Sequence, residues 1–292
     1  MTATATAAPL APHRRPARRR RSPVRYLQPL VAIALVVLLL GVPFWLVVVT
    51  AGKSQSEALN PNLSTPSHWH LWENFSTVFH EGHMTPAFFG SLLIMIPAVA
   101  GVLVLGAMAS WVLARRRSRT IAFVYALAIS GLVLPPAVVT IVLLLRQLGL
   151  AGTALGMIGV YMGMYMSTVI FFVTGFVRTI PLELEEAARV DGASPARVFF
   201  RIILPLLGPT ISTATILICL YIWNDVFYAL FVIGGRIDTL PLNLYQVASA
   251  GLYLNNWHLI FAYIILMSLP LLVTFAILQR RIISGVTSGA VK

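Results

Sequence analysis

Charge is scarce in this chain, and so is the chemistry that charge supports. Only 10% of its 292 residues are Asp, Glu, Lys or Arg, and nine are acidic, against about 25% charged in an ordinary globular domain. Outside one segment the acids are Glu57, Glu73, Glu81, Asp225 and Asp238. No nucleophile–base constellation forms, so no catalytic residue and no bond chemistry are expected. The single cysteine, Cys219, excludes an intrachain disulfide and a cysteine metal site; it reads as a small buried apolar residue. Gly-Lys-Ser in "AGKSQS" (Ala51 to Ser56) is the end of a phosphate-binding loop without its beginning. The first glycine falls on Val47, and the segment follows an apolar run rather than a strand. No cofactor is expected on this chain. His68, His70, His80 and His83 have spacings that could suit zinc, but no stronger ligand joins them, and they read as surface histidines.

What is abundant is oil. Hydrophobic residues make up 58% of the chain and mean hydropathy is +0.86, the balance of a polytopic membrane protein. About 20 apolar residues cross a bilayer, and six stretches qualify: Pro29–Ala51, Ala87–Ala114, Thr120–Leu145, Ala151–Phe176, Leu206–Ile233 and His258–Leu278. The first exceeds the 7–15 residues of a signal peptide core and reads as a retained anchor. Proline kinks a helix but is tolerated where neighbours satisfy the freed carbonyls. The third stretch, with Pro135–Pro136, is the one expected to break. The fourth is rich in small residues, as helix contacts in lipid often are. The fold class is therefore all-α, a six-helix membrane bundle.

The net charge of +12 points to membrane topology rather than nucleic acid, since no basic stripe interleaved with aromatics occurs. Of 21 basic residues, 18 fall in alternate segments: the N-terminal tail, Arg115–Arg119, the region of Arg178–Arg201 and the C-terminal end. Only Lys53, Arg146 and Arg236 fall in the others. The positive-inside rule makes the rich side, and both termini, cytoplasmic.

On that side lies "EEAARVDGASPARVFFRIILPLLGP", Glu185 to Pro209. Pro181 suits a first helical turn, and Glu185 and Arg189 are spaced to pair. Gly192 can end the helix in the left-handed conformation. Ser194-Pro195 reads as an N-cap and first position of a second helix. Ala187 and Ala188, with Glu186 beside them, offer a small-residue patch for docking. A mere connector between spans needs about 2–8 residues. In the fifth stretch Trp223, Asn224 and Asp225 read either as the polar lining of a solute path or as an interfacial anchor, because a charge deep in a span is costly.

The segment resembles the signature loop of ABC-importer permeases: Glu186-Ala187-Ala188, then Asp191-Gly192-Ala193, then Ile202-x-Leu204-Pro205. "GSLLIMIPAVAGVLVLGAMASWVLARR", "WNDVFYALF", "TLPLNLY" and "RRIISGVTSGAVK" resemble the smaller six-span partner of the maltose-type carbohydrate permeases. The resemblance implies a permease domain over residues 87–281 with a coupling loop at about 177–208. Before it come an Arg-rich tail (1–26) and a first span with outer loop (27–86); after it comes a cytoplasmic tail (282–292). It also implies a heterodimer with a second permease, two ATPase subunits holding ATP and Mg, and an extracytoplasmic binding protein that delivers a carbohydrate. The same architecture would serve a polyol or a glycerol-phosphate-type solute. The implied location is the bacterial plasma membrane. Ser284, Gly285, Ser288 and Gly289 are implied to touch the ATPase. A secondary transporter would need more ionisable groups inside its spans than Asp225, and a channel has no need of so large a docking loop.

Overall fold

The computed structural model describes residues 24–134, 136–249 and 255–290, with side chains over 27–134, 136–249 and 255–277. Every regular element among the described residues is helical. The chain divides into a unit ending at Trp45 and a main body from Leu46. In the first unit the described apolar side chains are mostly exposed. They belong to α1 (Leu27–Ala51), which is long and apolar enough to cross a membrane. The Arg-rich tail to residue 23 lies outside the described residues.

After α1, a short turn α2 (Gln55–Ala58) and helix α3 (Leu71–Glu81) form the loop that contains the Gly-Lys-Ser match. Lys53 is 1% exposed. Its ammonium donates to Asn62 Oδ1 at 2.7 Å, to the Asn62 carbonyl at 3.2 Å and to Ser64 Oγ at 3.3 Å. This lysine is the peg of a folded loop: all three of its donors are used, as a buried cation requires. Glu57 accepts from Ser67 N and Oγ at 3.1 and 2.6 Å. With the Ser54 contacts, these bonds hold its pKa down at about 2.

The main body is built on α4 (Met84–Arg115) and α7 (Ala154–Val177). They run parallel, with Gly101 against Met162 and Gly106 against Val169; a Cβ on Gly106 would sit 2.6 Å from Val169 Cγ1. Ser110 is buried and donates to the Gly106 carbonyl at 2.7 Å. Close backbone approach through small residues is how helices pack in lipid.

The return from α4 to α7 is the expected third span, and it is broken. α5 (Arg119–Ser130) and α6 (Val138–Gln147) are too short to cross singly. Pro136 has no N–H to continue the ladder. The coupling region follows as α8 (Glu183–Val190) and α9 (Pro195–Leu206). α9 turns by 76° into α10 (Gly208–Trp223). Pro209 sits at the bend and has no N–H for the carbonyl four residues back.

The expected fifth span is also interrupted: α10 ends at Trp223 and α11 resumes at Phe227–Val232. The last helices are α12 (Leu240–Ser249) and α13 (Trp257–Ala290). Of the six stretches, four are thus single helices of spanning length, the bent α9–α10 pair makes a fifth, and the third is two shorter helices.

Candidate functional site

The segment from Glu185 folds as two short helices at a corner. α8 ends at Val190, and Gly192 just beyond it has a φ of +78°, open to glycine and strained for most others. Ser194 then caps α9, its hydroxyl accepting from Arg197 N at 3.4 Å, and Pro195 takes the first turn. The outward face carries Glu186, Ala187, Asp191 and Gly192, all exposed. Leu184 (45% exposed) and Val190 (87%) extend it with apolar area. Ala188 and Ala193 are half-buried, and Ala193 N donates to the Ala188 carbonyl at 2.9 Å, closing the corner. Leu204 is half-buried and Pro205 exposed near the bend.

The inward face is held by Glu185, which is fully buried. Its Oε1 accepts from Arg115 Nε at 2.6 Å, and its Oε2 from Trp111 Nε1 at 3.1 Å and Arg189 Nη2 at 3.4 Å. Arg115 Nη2 also donates to the Ile180 carbonyl at 2.9 Å, and the Trp111 ring lies 5.7 Å from that of Phe199 in α9. Glu185 thus ties α8 to the end of α4, and its partners extend the junction: Arg115 to the exit of α7 and Trp111 to α9. The expected Glu185–Arg189 pair is present but is the weakest bond of the set. Sequence reasoning missed Arg115 and Trp111, which lie 70 and 74 residues away.

In the fifth stretch the three expected residues separate. Trp223 is 3% exposed and its indole N–H donates to the Met267 carbonyl at 3.0 Å. Asn224 is exposed. Asp225 accepts from Tyr161 Oη at 2.8 Å and from the backbone N–H groups of Tyr228 and Ala229 at 3.2 and 3.1 Å, so it satisfies two first-turn donors of α11 from just before its cap position. Beside it Tyr161, Tyr165 and Tyr221 stack in series, the last two rings 5.8 Å apart and 10° from parallel. The side chains of Ser284, Gly285, Ser288 and Gly289 lie outside the described residues. Among the described residues no group of three or more His, Cys, Asp or Glu could hold a metal; His70 instead pairs with Glu73 at 2.7 Å.

Known proteins resemble this chain in sequence and in fold. The melibiose/raffinose/stachyose import permease protein MelC of Bacillus subtilis (strain 168) is 33% identical over 86% of this chain and 91% of its own. The diacetylchitobiose uptake system permease protein NgcG of Streptomyces coelicolor is 30% identical over 85% of this chain and 83% of its own. A chain in the crystal structure of a bacterial ABC transporter that imports alginate superposes with a TM-score of 0.76, covering 91% of this chain and 99% of that one, at 18% identity, a likeness of fold. Residues 102–288 match the family described as binding-protein-dependent transport system inner membrane component, and the chain belongs to that family of multi-pass permease subunits, which are not enzymes.

Proposed function

We propose that this chain is the smaller permease of an ATP-driven importer that carries a di- or oligosaccharide into the cytoplasm by alternating access. The observation that carries the coupling half is the α8–α9 corner, which presents a small-residue patch, one acid and an exposed apolar rim outward while anchored inward by Glu185. Such a face suits a groove on a partner. The carbohydrate half rests on the relatives, whose names specify melibiose, raffinose and stachyose, and diacetylchitobiose.

In this reading a second permease completes the path, and two ATPase subunits hold ATP and Mg on the cytoplasmic side. A solute-binding protein docks outside, and both termini are cytoplasmic. ATP closes the ATPase dimer; the corner passes that motion to α4, α7 and α10, and the cavity changes sides. The sugar passes Asn224 and the Tyr165–Tyr221 stack, with Trp223 and Asp225 as supports behind it. Aromatic faces with a hydroxyl handle suit a ligand that is part apolar and part polar. The tail at Ser284, Gly285, Ser288 and Gly289 meets the ATPase.

The test is co-purification of the ATPase with the permease, alongside sugar uptake. Glu186→Lys should keep membrane abundance, lose the ATPase and abolish uptake; normal retention and uptake would remove the docking reading. For orientation, single cysteines at Thr65 and Ala196 in a Cys219→Ala background should label on opposite sides of intact cells. An impermeant reagent should reach position 65 only.

A further inference from the structure

At the end of the α4–α7 pair that carries the Glu185 junction, two adjoining hollows open between α4, α5 and α7. One, of about 360 Å³, is walled by Leu113, Ala114, Arg178 and the run Arg115–Arg117. The other, of about 320 Å³, shares Arg116, Arg117 and Arg178 and adds Ser118, Ile121, Ala122 and Tyr125. No carboxylate lines either hollow. Arg116, Arg117 and Arg178 enter none of the ion pairs among the described residues. Arg178 is held over the Tyr125 ring, 5.2 Å from its centroid. The second hollow also meets the first turn of α5, whose 12 residues direct the positive end of a helix dipole there.

Like charges gathered without a counter-ion call for an anion, and the position says which. Arg115 ends a 32-residue apolar helix and Arg178 caps one of 24 residues. The hollows therefore sit where hydrocarbon gives way to headgroups. Leu113, Ile121 and Ala122 supply an apolar wall beside the guanidinium groups. We propose that these hollows bind the phosphate headgroup of an anionic phospholipid, with the start of its acyl chains on the apolar wall. Free phosphate would meet the same arginines but gain nothing from that wall. Arg115 has one nitrogen, Nη1, outside its bonds to Glu185 and Ile180, so the headgroup shares a residue with the junction behind the corner helices.

The experiment is native mass spectrometry of the full-length chain, purified in mild detergent with the subunits that accompany it and titrated with phosphatidylglycerol or phosphatidylcholine. Wild type should retain phosphatidylglycerol in preference. Arg117→Gln should weaken that retention roughly fivefold, the worth of one basic residue near a charged membrane surface. The triple variant Arg116→Gln/Arg117→Gln/Arg178→Gln should erase the preference. Arg201→Gln, exposed and outside the hollows, should leave it intact. Should the triple variant fail to accumulate, the single variant decides. Unchanged lipid preference in Arg117→Gln overturns the proposal. So does complete displacement of the lipid by excess inorganic phosphate, which would make this a free-anion site. Loss of a protein subunit with lipid retention unchanged would make it a protein contact and overturn it likewise.

Discussion

Arg115 and Glu185 meet at 2.6 Å with the carboxylate wholly shielded from solvent. Removing one partner of a buried pair strands the other, at a cost of about 3–5 kcal/mol. Glu185→Ala should therefore loosen α8 while the spans persist. Hydrogen exchange across residues 183–190 should rise sharply, and sugar uptake should fall further than ATP hydrolysis. Glu185→Gln keeps an acceptor and should lie between. Unchanged exchange in Glu185→Ala would deny the junction its role.

At Gly192 the obstacle to substitution is backbone alone. A Cβ there meets nothing within 4 Å, but φ is +78°. A left-handed conformation costs an L-residue about 1–2 kcal/mol, and less for Asn. In the proposed complex, ATPase retention should fall in the order Gly, Asn, Ala, Val. A variant series ranked by side-chain size, with Asn below Ala, would point to a steric clash with the partner instead.

Asp225 holds one side-chain and two backbone donors. Asp225→Ala should fray residues 224–232 in hydrogen exchange and lower transport with it. Tyr161→Phe removes a single bond to the carboxylate, worth about 1.5–3 kcal/mol, and leaves both backbone donors in place, so it should do so more mildly. If uptake collapses while exchange at 224–232 is unaltered, Asp225 touches the solute rather than fastening the helix break.

Glu57 gives the loop after α1 a defined acid limit. Its carboxyl titrates near pH 2 when the loop is closed, against an ordinary value of 4.5. A depressed pKa stabilises the closed loop above about pH 4.5, and that contribution fades as pH falls toward 2. Exchange of residues 54–67, corrected for intrinsic pH dependence, should stay slow at pH 5 and quicken between pH 4.5 and 2. Glu57→Gln should flatten that response. A flat profile in the unmodified chain would refute it.

Much of this was legible in local sequence because its causes are local. Apolar run length marks α4, α7 and α13. Gly192, Ser194 and Pro195 act on their own backbone, so the corner could be placed to the residue. Pro135–Pro136 foretold a break, although a run of apolar residues across it concealed that two short helices would result. The junction was not legible. Glu185 and Glu186 stand side by side with the same chemistry, and only the fold decides that one is buried against Arg115 while the other faces outward. Lys53 resisted for the same reason: its partners Asn62 and Ser64 are common loop residues, and a motif match offered a more familiar but mistaken explanation.

The parallel course of α4 and α7 gives the corner mechanical advantage. With Gly101 and Gly106 drawing the helices into contact and Glu185 fastening their shared end to α8, the pair behaves as one stiff beam. At 1.5 Å per residue the 32 residues of α4 span about 48 Å, so a tilt of about 5° about the far end moves the tip by about 4 Å. In the proposed complex, a partner gripping the eight-residue α8 would act at the moving end of that beam, farthest from its pivot.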